Sequence, residues 1–306
     1  MSQYLFMRIW QSLGVFLGAV ILVFAMVRLT GDPSTLILPR DASLEQIEAF
    51  REEMGYNRPL IVQFVDYAAN ILRGDFGNSL HYKTPAVALI LERIPATLQL
   101  ATAALVIALV IGLPLGIIAG VRAGSIWDTI ARLLGLIGQT MPSFWLALLL
   151  ILTFAVNLRW FPAFGRDMGL QSLILPGLAL SLRSMGRIVR LTRSSIMDEI
   201  NQDYVRTAYS KGLPRMTVYT RHVLKNAAIP LLSVLSVQFG YLLSGSIYIE
   251  VIFSWPGVGQ LIAEAIHVRD FPLIQAIAVF VSVVIIGLHL LTDLAYALLD
   301  PRIQYD

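Results

Sequence analysis

"IPATLQLATAALVIALVIGLPLGIIAGV", residues 94–121, contains no charged side chain. An α-helix of about 20 such residues crosses a hydrocarbon core about 30 Å thick, and this stretch is longer than that. Further charge-free runs occupy 9–27, 133–158, 168–182, 226–249 and 271–292. Only 168–182 is short, and Arg183 and Arg187 can extend it by lifting their guanidinium heads toward lipid headgroups. Lipid leaves helices or closed barrels as spanning structures, and barrel strands would alternate in polarity, which these runs do not. The expectation is an all-α, polytopic membrane protein with six transmembrane helices. Composition agrees: 57% of the 306 residues are hydrophobic and 14% charged, against about 25% charged in soluble domains.

The first run reads as a permanent anchor. It has one basic residue ahead of it, Arg8, and ends in "RLTGDP" without a small-x-small cleavage site. Cysteine is absent, so disulfides, thiolate metal sites and cysteine nucleophiles are excluded. The net charge of +3 matters less than its distribution. Residues 183–225 hold Arg183, Arg187, Arg190, Arg193, Arg206, Lys211, Arg215, Arg221 and Lys225, opposed by Asp198, Glu199 and Asp203. The positive-inside rule puts that loop and both termini in the cytoplasm. Residues 30–95, with nine acids against six bases, then lie outside.

The outer segment has helical grammar. In "SLEQIEAFREEMG", Ser43 is an N-cap with Gln46 three residues on, Leu44, Ile47 and Phe50 make an apolar stripe, and Gly55 is a stop. "PLIVQFVDYAANILRG" has Pro59 in a first turn and ends at Gly74. The expected organisation is 1–29 for the N-terminus and first span and 30–95 for the outer helical segment. A core follows at 96–299, holding a cytoplasmic loop at 198–230, and the tail is 300–306.

Catalytic chemistry is hard to find. Lys83, Lys211 and Lys225 are the only lysines and none follows a glycine, so no phosphate-cradling P-loop is present. The histidines His81, His222, His267 and His289 show no paired metal spacing, and His289 reads as a packed helix histidine. The centres of the charge-free runs lack the acids and bases of an ion-coupled carrier. Neutral groups are left as pathway candidates: Gln139, Ser143, Gln238, Tyr241 and Ser244, each of which also serves as interhelical glue. Arg183, Arg187 and Arg190 share a helical face. Phosphate binding by a membrane enzyme is one reading of them and headgroup contact the favoured one.

"AYSKGLPRMTVYTRH", residues 208–222, interrupts the apolar chain. Asp203 caps a first helix that Gly212 ends. Leu213 and Pro214 turn the chain, and a second helix runs to Pro230, with Met216, Val218, Tyr219 and His222 on view. Spacing alone leaves two readings open, a knob for a cytoplasmic partner or a plain orientation loop.

The segment resembles the coupling loop of bacterial ABC-importer permeases, of the dipeptide, oligopeptide and nickel branch. Tyr204-Val205-Arg206-Thr207-Ala208, Lys211-Gly212-Leu213, His222, Lys225-Asn226-Ala227 and Pro230 carry the likeness. Further pieces follow in order along the chain: Gly31-Asp32-Pro33, Gly74-Asp75-Phe76-Gly77 with Ser79, and Arg93-Ile94-Pro95-Ala96-Thr97. Glu250, "FSWPGVGQL" at 253–261, Arg269-Asp270 with Pro272 and Gln275, and Asp300-Pro301-Arg302 complete the set. Arg206 stands where the general importer motif has a glutamate, and Ser210 where alanine is usual.

The resemblance implies a non-catalytic subunit of a type I importer in the bacterial inner membrane. Its partners would be a homologous second permease, two ATP-binding subunits that hold the ATP and Mg, and an extracytoplasmic binding protein. The chain itself would need no cofactor and bind no nucleic acid. Dipeptides or oligopeptides are the implied cargo, with nickel or glutathione as alternatives. By this likeness Tyr204, Arg206, Ala208, Lys211, Gly212, Leu213, Pro214, Tyr219 and His222 meet an ATPase subunit. Trp255, Pro256, Gly257, Arg269 and Asp270, in an outer 250–272 loop, face the binding protein; a re-entrant plug or lid packing is the other reading of that loop.

Overall fold

The computed structural model describes residues 2–29, 34, 38, 42–53 and 55–299. Among them there is no β-strand, only an isolated bridge between Asn78 and Pro85. Contacts group the chain into two compact units, Met1–Pro95 with Gln260–Asp306, and Ala96–Gly259.

In the first unit, α1 (Ser2–Leu29) is followed by α2 (Leu44–Glu53) and α3 (Leu60–Leu72). The box expected at α2 forms: Ser43 N–H donates to Gln46 Oε1 at 2.9 Å, and Gln46 N–H to Ser43 Oγ at 3.2 Å. These satisfy amides that a helix start leaves without partners. Gly55, at φ +69°, turns the chain after α2. Pro59 precedes α3 as its cap, one position before the expected first turn. The long C-terminal helix Phe271–Leu299 (α12 below) belongs here too, because Val279 is buried with Val20 of α1 and Ile71 of α3. It therefore packs with the N-terminal segments, whereas the expected division placed it in the 96–299 core.

The second unit takes α4 (Ala86–Val121) from Ala96, then α5 (Ile126–Thr140) and α6 (Ser143–Leu150), which runs into a π-helical turn at Ile151–Asn157. It continues with α7 (Leu170–Ile200), α8 (Asp203–Ser210), α9 (Arg215–Val218), a π-helical turn at Tyr219–Val223 and α10 (Leu224–Ile252). Helix α11 (Val258–His267) leads to α12 (Phe271–Leu299).

Glycines set how closely the second unit packs. A Cβ at Gly116 would lie 2.6 Å from Thr192 Cβ, and one at Gly120 would lie 2.7 Å from Ile196 Cβ. Gly112, Gly116 and Gly120 thus form a small-residue stripe on α4 that meets Ile188, Thr192 and Ile196 of α7. On the other side, a Cβ at Gly186 would lie 2.4 Å from the carbonyl oxygen of Gly135 in α5. With neighbours so near on two sides, α7 is the buried axis of the unit. Its residues Leu175, Leu180, Ile188, Val189 and Ile196 are all buried.

Among the described residues, four helices are long and apolar enough to cross a membrane: Met7–Leu29, Ala86–Val121, Leu170–Ile200 and Phe271–Leu288. The expected span 133–158 is broken: α5 and α6 meet at 106° and count as a fifth span only if taken together. Proline disfavours helical geometry in the residue before it, and Met141 before Pro142 is extended at φ −71° and ψ 129°. The expected run 226–249 lies within the 29-residue α10. The helix expected to end at Pro230 does not stop there: Pro230 sits inside α10.

Candidate functional site

The elbow between α7 and α10 has a small core of its own. Val205 and Ala208 of α8 are buried with Val218, Val223, Ala227 and Ile196, and Tyr204, Leu213 and Tyr219 pack on the outside of that cluster. Val218, expected on view, is wholly inside, because it faces α8 across the turn. The Tyr204 hydroxyl donates to the Glu199 carboxylate. Burial and that acceptor both hold its pKa above the ordinary tyrosine value, so it stays a donor at neutral pH.

The turn itself is built by hydrogen bonding. Gly212, at φ +77°, lets its N–H reach the Tyr209 carbonyl at 2.9 Å, while the Leu213 N–H reaches the Ala208 carbonyl at 3.3 Å. That pair of bonds is a Schellman closure, with Leu213 laid back against the cluster. Pro214 then caps α9. Arg206, Tyr209, Lys211, Pro214, Arg215, Met216 and Arg221 remain exposed, and His222 is half-buried. The result is a compact knob with a basic and aromatic outer face.

A clamp beside the elbow was not visible in the sequence. Asp128 of α5 is buried and takes a two-pronged contact from Arg193 of α7, at 2.6 Å to Oδ1 and 2.9 Å to Oδ2. The Gly124 N–H also donates to it at 2.9 Å. The legible signal was Ser125-x-x-Asp128, a capping pattern: Ser125 does cap α5, accepting from the Asp128 N–H. What the pattern does not reveal is the cation 65 positions away.

The pathway candidates scatter. Gln139 spends its amide on the Gly135 carbonyl of its own helix at 3.1 Å. Ser143 opens α6, and the side chain of Ser244 lies outside the described residues. Gln238 and Tyr241 do come together, around Arg187. Its Nη1 donates to Gln238 Oε1 at 2.9 Å, and its guanidinium sits 5.2 Å from the Tyr241 ring centroid. Arg187 is therefore not raised toward headgroups as expected, because a neutral acceptor within the bundle holds it.

The 250–272 segment is largely turned inward. Trp255 is fully buried and its indole N–H donates to the Ala96 carbonyl at 2.8 Å. The Val258 N–H reaches Thr97 Oγ1 at 2.9 Å, and the Gly259 N–H reaches Glu250 Oε2 at 2.6 Å. A Cβ on Gly257 would strike Glu250 and Thr97 at 2.3 and 2.5 Å. Trp255 and Gly257 are thus inside the fold, not on a face open to another protein; Pro256 is half-buried. In the other unit Asp270 is buried too. It accepts from Ser79 Oγ at 2.5 Å, from the His81 N–H at 3.1 Å and from the Leu273 N–H at 3.2 Å. Arg269 is the exposed member of this set.

Comparison with known proteins agrees with this architecture. The family model described as binding-protein-dependent transport system inner membrane component matches residues 112–305. A putative peptide transport system permease protein of Brucella abortus is 37% identical over the whole of both chains. The dipeptide transport system permease protein DppB of Alkalihalophilus pseudofirmus is also 37% identical and the oligopeptide transport system permease protein AppB of Bacillus subtilis 36%, again over full lengths. Among solved structures, an inward-facing methionine ABC transporter matches with a TM-score of 0.59 at 16% identity, covering 70% of this chain and 97% of that one. The membrane-spanning helices, the elbow and these full-length likenesses lead to one conclusion: the chain belongs to the binding-protein-dependent transport system inner membrane components, the permeases of ABC importers.

Proposed function

We propose that this permease forms half of an import pathway for short peptides, and that its elbow at residues 203–223 takes up the motion of an ATP-hydrolysing subunit on the cytoplasmic side. The observation that carries this reading is the elbow, an independently packed knob whose exposed face is basic and aromatic and whose stalk is continuous with α10. A rigid lever needs such a core, because a soft loop would absorb displacement without passing it on. The excess of arginine and lysine around it favours the cytoplasmic side for the elbow and both termini. Exposed Arg206, Lys211, Arg215 and Arg221 suit an acidic rim on the ATPase and set register more than affinity.

The peptide assignment follows the relatives named above. A glutathione transport system permease protein, GsiC of Salmonella choleraesuis, is 37% identical over full length as well, and glutathione is itself a small peptide. ATP and its metal belong to the partner subunits, and a second permease completes the pathway. The test is uptake of labelled dipeptides and tripeptides into liposomes holding this chain with its second permease, ATPase subunits and binding protein. ATP-dependent accumulation that disappears when any one component is omitted is the expected result. Accumulation by this chain alone would overturn the reading.

A further inference from the structure

Arg187 lies in the interior of the bundle rather than at its edge. Its partner Gln238 is buried midway along the 29-residue α10 and midway along the charge-free run 226–249. A guanidinium offers five N–H donors, and among the described residues this one gives a hydrogen bond only to Gln238 and lies over the Tyr241 ring. No carboxylate among the described residues lies within ion-pair distance of it. Facing lipid at that depth would cost about 2.5–3.5 kcal/mol, yet the face is open: Tyr241 is 58% exposed. Arg183 and Arg190, one turn to either side on the same face of α7, are exposed and likewise have no partner among the described residues. A face with three cations and no counter-charge belongs against water and a passing anion, not acyl chains.

We propose that Arg187, flanked by Arg183 and Arg190, binds the C-terminal carboxylate of the peptide in transit. The proposal rests on the peptide reading above. A free C-terminal carboxylate is the one negatively charged group that every unmodified linear peptide shares whatever its side chains, and planar guanidinium matches carboxylate through two parallel hydrogen bonds. Gln238 holds the arginine by a neutral acceptor, which orients it without cancelling its charge.

The experiment uses the complete importer in liposomes and two tripeptides differing only in a C-terminal carboxylate or amide. Arg187→Gln lowers uptake of the free acid about tenfold, the loss of one charge-assisted contact, and changes uptake of the amide less than about twofold. Arg187→Lys keeps free-acid uptake within about threefold of wild type. Equal falls for acid and amide, or equal falls for Lys and Gln, overturn the carboxylate site and leave Arg187 a packing or headgroup residue. Where the binding protein refuses the amide, the Lys-against-Gln comparison decides alone. If the wild type imports neither tripeptide, the peptide reading fails, and the carboxylate site fails with it.

Discussion

At Gly212 a Cβ would touch nothing within 4 Å, so space is no obstacle; φ +77° is. A β-branched side chain in that region costs about 1–2 kcal/mol or more, and the cheapest relief is to open the Schellman closure. Gly212→Val should therefore leave insertion and assembly intact while lowering peptide uptake per ATP hydrolysed several-fold in reconstituted vesicles. An unchanged ratio would remove the turn from the coupling path. Trp255 offers a contrasting test in the other part of the same unit. Trp255→Phe keeps an aromatic side chain but removes the indole N–H that the Ala96 carbonyl accepts, costing about 0.5–1.5 kcal/mol for that hydrogen bond. It should lower the thermal midpoint of the detergent-solubilised chain with little change in docking of a binding protein. A selective loss of docking would mean that the indole is functional after all.

Between elements, the Asp128–Arg193 clamp fixes the start of α5 to the end of α7 that leads into the elbow. Breaking a buried pair by removing one partner costs about 3–5 kcal/mol, whereas replacing both with apolar groups is often neutral. Asp128→Asn should thus destabilise the unit more than the double change Asp128→Leu with Arg193→Met, read as midpoint temperature in detergent. If the clamp also stiffens the lever, the double variant folds but transports less per ATP. Packing between the same helices sets a second expectation. Gly186→Val would drive a side chain into the Gly135 backbone, where overpacking costs about 1–3 kcal/mol or more. Folded yield should fall sharply, and normal yield would refute the close approach. At this scale the Ser43–Gln46 box was readable in advance because both partners lie within one turn. Pro230 was misread for the opposite reason: a membrane helix tolerates proline when surrounding structure supports the freed backbone groups.

For the whole molecule, the family assignment and the lack of a phosphate-cradling loop lead to one plain expectation. The purified chain should hydrolyse no ATP, and turnover should appear only once ATPase subunits are added; turnover by the clean subunit would contradict its place as a permease. The exposed apolar side chains of α1, among them Trp10, Leu22 and Met26, fit a helix whose outer surface is covered by lipid or a partner permease. The motifs spread along the chain also acquire a joint meaning. The Ala96–Thr97 and Trp255–Gly259 pieces bond each other, and the Ser79 and Asp270 pieces do the same in the other unit.

Membrane class, the run of long helices, the two short helices after the first span and the elbow's Gly-Leu-Pro turn followed from sequence alone. They depend on quantities local in the chain: apolar length, charge bias, caps and φ preferences. Which polar groups meet was decided only by the tertiary structure. Arg187 and Gln238 stand 51 positions apart, and Trp255 and Ala96 are separated by 159. Whether a tryptophan faces outward or an arginine reaches a headgroup depends on what folds against it, and burying a polar group without a partner costs more than any local preference supplies.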